Sequence, residues 1–434
     1  MIDDASTTRP FLVMAKPVGP VCNLDCGYCY YVGKKTLFPQ GERFKMRREV
    51  LETFVAQYIA ASPGPVVHFV WHGGEPTLAG IDFYRQVIEL QARHLPEGWQ
   101  CLNSLQTNGT LLDDAWGTFL AEHGFLVGLS LDGPARLHDG GRVDRRGRPT
   151  HDRALRGLRT LRAHGIDPEV LCALHAGNAS HPLDVYRFFL DLGISWIQFI
   201  PVVRRDAAGR VDGWSVSPER MGEFLCTVFD EWVRYDVGRI GVQNFLEPFL
   251  VAKGQPSNLC VMTETCGRAL AIEHDGTVFA CDHFVDAPHR LGSVTTEDLD
   301  DLVEAPAQRA FGAAKRDRLP SACRSCDVRR FCHGGCPKDR FAATADGEPY
   351  LNHLCAGYRN FYRHAGPYLA RMSLIALRGH PITEIVDELE VAERDERRRW
   401  RTAPRNGSCP CGSGKKYKQC CLPRQRRQGA RGAG

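Results

Sequence analysis

Apolar and polar positions along the first half of the chain predict strands and helices in turn. Phe11–Ala15 is a short apolar run that reads as a buried strand, followed by a Gly/Pro loop. Val66–Trp71 is apolar and β-branched and ends at His72-Gly73-Gly74-Glu75-Pro76. Ile81–His94 sets Ile81, Tyr84, Val87, Ile88 and Gln91 at helical spacing. Cys101–Gln106 reads as a strand ending at Thr107-Asn108-Gly109, Leu112–Glu122 as a helix, and Phe125–Leu131 as a strand ending at Asp132-Gly133-Pro134. A helix around Ala154–His164, the strand Glu169–His175, the helix Pro182–Leu192 and the strand Trp196–Val203 complete the series.

About six strand–helix units in succession argue an α/β fold with a parallel sheet wrapped by helices. Six are too few for a closed eight-fold barrel, so a partial (β/α)6 barrel is expected. Its polar motifs sit at the carboxyl ends of the strands, where such sheets place their ligands. From Cys260 the texture changes to turns and cysteines. Leu270–Ala280 reads as a hairpin turning on Asp275-Gly276. Four regions are expected: a barrel over 1–245, a cysteine-rich auxiliary domain over 246–375, a charged helical linker over 376–405 containing the helix Ile385–Arg401, and a small cysteine module over 406–434.

Composition changes the picture in two ways. At 43% hydrophobic and 24% charged over 434 residues, the chain is ordinary for a soluble protein. It has no apolar stretch of roughly 20 residues and no secretory signal at its start, so no membrane association is expected and the location is read as cytoplasmic. Its 18 cysteines are therefore expected reduced and available to metal, not paired as disulfides. They cluster at 22, 26, 29; at 260, 266, 281; at 323, 326, 332, 336, 355; and at 409, 411, 420, 421. Cys101, Cys172 and Cys226 stand alone and read as small buried hydrophobes. The net charge of +4 conceals an asymmetry, since twelve Lys or Arg and no acidic residue lie between Arg397 and Gly434. A basic tail follows an acidic body.

Cys22-x3-Cys26-x2-Cys29 lies in the loop after the first strand. Three thiolates leave one iron of a four-iron cluster without a protein ligand, open to a small chelating molecule. A zinc knuckle lacking its fourth ligand or an ordinary ferredoxin cluster are the competing readings, but zinc favours Cys-x2-Cys pairs and ferredoxin runs carry a fourth cysteine. Cys22-Asn-Leu-Asp-Cys26-Gly-Tyr-Cys29-Tyr30-Tyr31 resembles the opening signature of the radical S-adenosylmethionine (SAM) superfamily, and His72-Gly73-Gly74-Glu75-Pro76 resembles its second motif. Glycines there suit close approach of backbone to a ligand.

Within that superfamily the chain resembles the anaerobic sulfatase-maturating enzymes from about Phe11 to Tyr368. Thr107-Asn108-Gly109, Leu129-Ser130-Leu131-Asp132-Gly133-Pro134 and His138-Asp139-Gly140-Gly141-Arg142 carry the match. The resemblance implies that Ser130 and Arg142 hold the SAM carboxylate, Arg142 by a charge-assisted fork. It also implies that Tyr28, Gly74 and Ile200 line the rest of the SAM site.

Eight cysteines between 260 and 355 suffice for two further four-iron clusters, or for one or two structural zinc sites. Cys323-x2-Cys326-x5-Cys332-x3-Cys336, with Cys355 downstream, resembles the SPASM extension of peptide-modifying radical enzymes. By that resemblance one cluster takes Cys260, Cys266, Cys281 and Cys336, and the other Cys323, Cys326, Cys332 and Cys355; spacing alone leaves the interleaving open. The family also places a proton-accepting aspartate directly after a cluster cysteine, which matches Asp282, with His283 as the weaker alternative base. A carboxylate in an anionic, partly desolvated setting is expected to have a raised pKa.

Cys409-Pro-Cys411-Gly-Ser-Gly-Lys-Lys-Tyr-Lys-Gln-Cys420-Cys421 resembles the zinc tail of the SecA translocase family and departs from the sulfatase-maturase pattern. It implies one zinc ion and, with the surrounding basic residues, docking to an acidic protein or the ribosome. Taken together, the resemblances imply a peptidyl cysteine or serine oxidase forming Cα-formylglycine in a sulfatase or other peptide. Its cofactors would be SAM, one SAM-binding [4Fe-4S] cluster and two auxiliary ones, with a reductant such as flavodoxin or ferredoxin. The rival readings are a SPASM-type maturase that crosslinks a ribosomal peptide and a non-catalytic metal-binding adaptor.

Overall fold

In the computed structural model, residues 10–206 and 208–423 are described. Arg424–Gly434, the end of the basic tail, lie outside the described residues. Ten strands form one sheet among them: β1 (Leu12–Ala15), β2 (Val66–Trp71), β3 (Gln100–Thr107), β4 (Leu126–Ser130), β5 (Glu169–Leu174), β6 (Trp196–Pro201), β7 (Gly241–Val242), β8 (Ala269–Ile272), β9 (Thr277–Phe279) and β10 (Arg290–Ser293). Their spatial order is β10-β9-β8-β1-β2-β3-β4-β5-β6-β7. Neighbours from β8 through β1 to β7 are parallel, and β8, β9 and β10 pair antiparallel. The alternation read from the sequence is thus present as an open parallel sheet.

Two-residue periodicity explains how the sheet is solvated. Val67, Phe69, Trp71, Val127, Leu129, Val170, Cys172, Leu174, Ile197 and Phe199 are buried. Val67, Phe69, Trp71 and Val127 share one core with Phe54, Tyr84, Leu90 and Phe119 of the helices Arg48–Ala61, Ile81–His94 and Asp114–Glu122. Burying such a side chain is worth about 1.5–3 kcal/mol. The alternate positions His68, Val70, Ser104, Gln106, Ser130, Ala173 and Gln198 are only half-buried, and Ile200 is 38% exposed. A parallel sheet normally buries both faces in apolar side chains. This one has a polar, partly open inner face.

The hairpin forms where expected, across Glu273–Gly276, but it does not build a sheet of its own. Its first strand, β8, pairs in register with β1, Val13 opposite Leu270 and Ala15 opposite Ile272. The cysteine-rich segment is thereby stitched to the barrel edge. Contact density divides the chain into two units, Met1–Asp230 with Arg239–Ala370, and Glu231–Gly238 with Arg371–Gly434. In the second unit the charged helix spans Glu384–Thr402 and is followed by the cysteine module. No helix among the described residues is long and apolar enough to cross a membrane.

Candidate active site

The carboxyl ends of the parallel strands deliver chemistry-bearing residues to one rim: Lys16 after β1, His72–Glu75 after β2, Asn108 after β3, Asp132 after β4, His175 after β5 and Glu273 after β8. The Cys22–Cys29 loop is anchored on that rim by backbone bonds, Gly74 N–H to Gly19 O and Glu75 N–H to Val21 O, both 2.9 Å. Gly74 is required for this packing, since a Cβ there would lie 1.9 Å from the Val21 carbonyl oxygen. The close approach that excludes a side chain is therefore to the cysteine loop itself, a constraint the sequence did not disclose. Glu75 is buried and accepts from Thr77 N–H, the Thr77 and Thr107 hydroxyls and Asn108 N–H. Asn108 in turn donates to Asn23 (2.9 Å), beside Cys22.

Cys22, Cys26 and Cys29 are free, half-buried thiols near enough to affect one another's ionisation. Burial and the Glu75 carboxylate push the Cys22 thiol up to about 12. Burial pushes Cys26 up to about 11 against the pull of Arg142. Tyr28 is buried between His175, stacked at 4.9 Å, and Trp214. Arg142 forks onto Asp132, Nε at 2.8 Å and Nη2 at 3.1 Å, and lies near enough to Cys26 to favour its thiolate. The guanidinium expected to face a ligand carboxylate is thus already engaged by one from its own chain. Burial opposes the Asp132 charge, but Arg142 prevails and holds that carboxyl below its usual range. Tyr28 O–H and Ala173 N–H complete its acceptance. Ser130 accepts from Gln106 at 3.0 Å on the inner face of the sheet, and Ile200 lies exposed on the same face of β6, not in the core. His175 accepts from Gly177 N–H at Nδ1, so Nε2 carries the proton, and Nε2 is buried without a hydrogen-bond partner among the described residues. Grouped thiols and a stranded donor beside Tyr28 fit a cluster with a polar ligand on this rim.

Asp282 is buried and ion-paired to Lys16, whose side chain is 0% exposed. Tyr30, next to Cys29, donates its hydroxyl to the other carboxylate oxygen. Lys16 also reaches His72 Nδ1 at 3.1 Å and lies 4.6 Å from the Tyr31 ring centroid. The expected rise in the Asp282 pKa is corrected: burial pushes upward most strongly of any single influence, but the Lys16 ammonium together with the nearby His72 and His283 holds the carboxyl well below the usual range. Burial and Lys16 likewise press His72 down to about 3, leaving it neutral. His283, the alternative base, packs edge-on to Tyr30, and burial lowers it to about 4. Lys16 drew no notice in the sequence, although it directly follows the first apolar run, and Tyr30 and His72 were noted only as members of the cysteine and glycine motifs.

The remaining thiols interact in two groups. Cys281 feels Cys336 and Cys260, and Cys266 feels Cys260. Cys332 feels Cys355, Cys323 and Cys326. Each group holds four thiols, a donor set that fits a fully ligated four-iron cluster. Cys172 is fully buried, and Cys101 and Cys226 are half-buried. In the second unit, one sulfur from each of Cys409, Cys411, Cys420 and Cys421 lies within 4.8 Å of the others. Tetrahedral zinc with bonds of about 2.3 Å needs sulfurs roughly 3.8 Å apart; Cys420 and Cys421 stand at 3.8 Å, and Cys411 stands closer, 3.3 Å from Cys409 and 3.5 Å from Cys420.

Comparison with known proteins agrees with this geometry. Residues 17–182 match the Radical SAM superfamily, 260–327 the SPASM iron–sulfur cluster-binding domain and 405–423 the SEC-C motif. The serine-type anaerobic sulfatase-maturating enzyme of Bacteroides thetaiotaomicron is 40% identical over 84% of this chain and 92% of its own length. The cysteine-type enzyme of Clostridium perfringens is 32% identical over 84% of this chain and 98% of its own. The solved structure of native anSMEcpe with bound AdoMet and Cp18Cys peptide superposes with a TM-score of 0.76 at 31% identity, covering 84% of this chain and 99% of that one. Fold, thiol groups and relatives coincide, and the chain belongs to the anaerobic sulfatase-maturating enzymes of the radical SAM superfamily.

Proposed function

We propose that this chain oxidises a cysteine or serine side chain in a sulfatase peptide to Cα-formylglycine. The observation that carries the reading is the position of Asp282, next to Cys281 in sequence yet bonded to Lys16 and to Tyr30, the neighbour of Cys29. It lies between the first cysteine triad and an auxiliary group. In this reading Cys22, Cys26 and Cys29 hold the SAM-binding cluster, and Tyr28, Gly74, Ser130, Arg142 and Ile200 surround SAM. One auxiliary cluster takes Cys260, Cys266, Cys281 and Cys336, and the other Cys323, Cys326, Cys332 and Cys355. When bound, SAM on its reduced cluster would supply a hydrogen-abstracting carbon radical, and an oxidised auxiliary cluster would supply the acceptor for one electron.

Asp282 then has a defined task. Loss of a Cβ hydrogen makes the substrate's thiol or hydroxyl proton far more acidic, so a carboxylate of low basicity suffices to take it. Lys16 and Tyr30 keep that carboxylate ionised and oriented, ready to accept at any physiological pH. One hydrogen atom, one proton and one electron leave the substrate in a two-electron oxidation. It takes serine directly to the aldehyde and cysteine to a thioaldehyde, which water then hydrolyses to the aldehyde with release of sulfide. Burial of the pair excludes water that would compete for the proton.

Supporting assignments follow from the same frame. One zinc ion is held by Cys409, Cys411, Cys420 and Cys421, and the basic segment around them docks an acidic partner. A flavodoxin- or ferredoxin-type protein in a reducing cytoplasm delivers electrons. The test is anaerobic reconstitution with SAM, reductant and paired Cys-x-Pro-x-Arg and Ser-x-Pro-x-Arg peptides, read by mass spectrometry. Conversion of either residue to the aldehyde is expected, and Asp282→Asn should cleave SAM without forming it. Deoxyadenosine release with an unmodified or crosslinked peptide would overturn the reading in favour of a crosslinking maturase.

A further inference from the structure

Two buried cations near the auxiliary thiols have no carboxylate within ion-pair distance among the described residues. Lys315, 1% exposed on the helix Pro306–Asp317, donates to the carbonyls of Cys260 (2.6 Å), Val261 (3.1 Å) and Thr263. Arg340, 7% exposed, donates from Nε to Gly334 O (2.8 Å) and from Nη2 to His333 O (2.6 Å) and Gly335 O (3.1 Å). Its Nη1 donates to Lys315 O, which joins the two cations into one assembly. Residues 333–335 are those between Cys332 and Cys336, one thiol from each group. Lys315 grips the loop that opens with Cys260.

An unpaired buried charge is costly, and carbonyl dipoles offset only part of the desolvation. Retaining two such charges side by side makes physical sense where anions complete the site. The thiols supply that anionic field: Cys260, Cys266 and Cys336 act on Lys315, and Cys323, Cys332, Cys336 and Cys266 act on Arg340. We propose that Lys315 and Arg340 are the counter-charges of the auxiliary iron–sulfur clusters, Lys315 serving the Cys260/Cys266/Cys281/Cys336 cluster and Arg340 bridging both. This rests on the assignment of those eight thiols as cluster ligands. A cluster that takes up one electron gains one negative charge, so a fixed cation beside it favours the reduced state and raises its potential. The pair thus draws the electron from the substrate into the auxiliary clusters and eases its passage from one to the other.

The test uses full-length chain, reconstituted anaerobically, in a Cys22→Ala/Cys26→Ala/Cys29→Ala background so that the auxiliary clusters titrate alone. Iron and sulfide content is measured first, then potentials by EPR-monitored redox titration. Lys315→Met should shift one cluster to lower potential and leave the other, Arg340→Met should shift both, and Arg340→Lys should stay near the parent. Unchanged potentials in all three, with iron retained, would overturn the proposal while leaving the ligand assignment intact. If Arg340→Met loses iron, retention by Arg340→Lys supports the charge role, and equal loss in both overturns it in favour of a purely structural grip on the loop. Parent chain lacking auxiliary iron overturns the ligand assignment and the proposal with it.

Discussion

Lys16→Met removes the charge from an ion pair whose side chains are 0% and 9% exposed, while keeping a side chain of similar length. Asp282 is then a buried carboxylate with the Tyr30 hydroxyl as its remaining side-chain hydrogen bond. Breaking a buried pair by removing one partner costs about 3–5 kcal/mol, because the surviving charge is stranded away from water. Asp282→Asn strands the ammonium instead, but His72 Nδ1 at 3.1 Å remains as an acceptor, which places that variant at the lower end of the range. The double variant strands neither charge. Its loss should therefore fall short of the summed single losses by about 2–3 kcal/mol. The assay is anaerobic urea unfolding of the reconstituted parent, both single variants and the double, followed by tryptophan fluorescence and treated as a double-mutant cycle. Single losses that add to within about 0.5 kcal/mol would refute the coupling and, with it, the role of Lys16 in holding Asp282.

Gly74→Ala places a Cβ 1.9 Å from the Val21 carbonyl oxygen, so the Cys22 loop must move; reconstituted protein should lose the SAM-binding cluster's absorbance, and full retention would refute the packing argument. For Asp132, burial opposes ionisation but Arg142 depresses the folded carboxyl, so its stabilising contribution is complete above the unfolded value of about 3.9 and is lost as pH falls through the depressed one. In Arg142→Met burial, the largest influence, is opposed only by the weaker Tyr28 and Ala173 hydrogen bonds and the nearby His138 and His175. The folded carboxyl is then raised, so stability should fall as pH rises above the unfolded value of about 3.9, and thermal midpoints that run parallel to the parent's would count against it. Zinc chelation, or Cys409→Ser, should abolish hydrogen-exchange protection across 405–423 while SAM cleavage persists; unaltered protection in Cys409→Ser would show that the module folds without metal.

The succession of strands and helices was legible in the chain's hydrophobic pattern, because two- and 3.6-residue periodicities follow from local geometry. The helix Ile81–His94 and the strand Val66–Trp71 were legible to the residue. Amphipathic helices such as Pro218–Tyr235 and Arg48–Ala61 were not singled out, since no motif drew attention to them. Cysteine spacing declared the metal chemistry, because thiols recurring at short, fixed intervals match the spacing of metal ligands. Three things were left to the tertiary structure. The parallel pairing of β8 with β1 joins residues more than 250 positions apart and ties the cysteine-rich segment to the barrel. The polar inner face of the sheet emerges only when neighbouring strands are in register. The electrostatics of the site were likewise hidden: Asp282 beside a cysteine suggested a raised carboxyl, yet Lys16, 266 residues away, reverses the sign. A side chain's type and neighbours in sequence fix what chemistry it can do. Its charge state depends on which distant groups the fold brings within a few ångströms, where electrostatic interaction in a poorly solvated interior outweighs everything local.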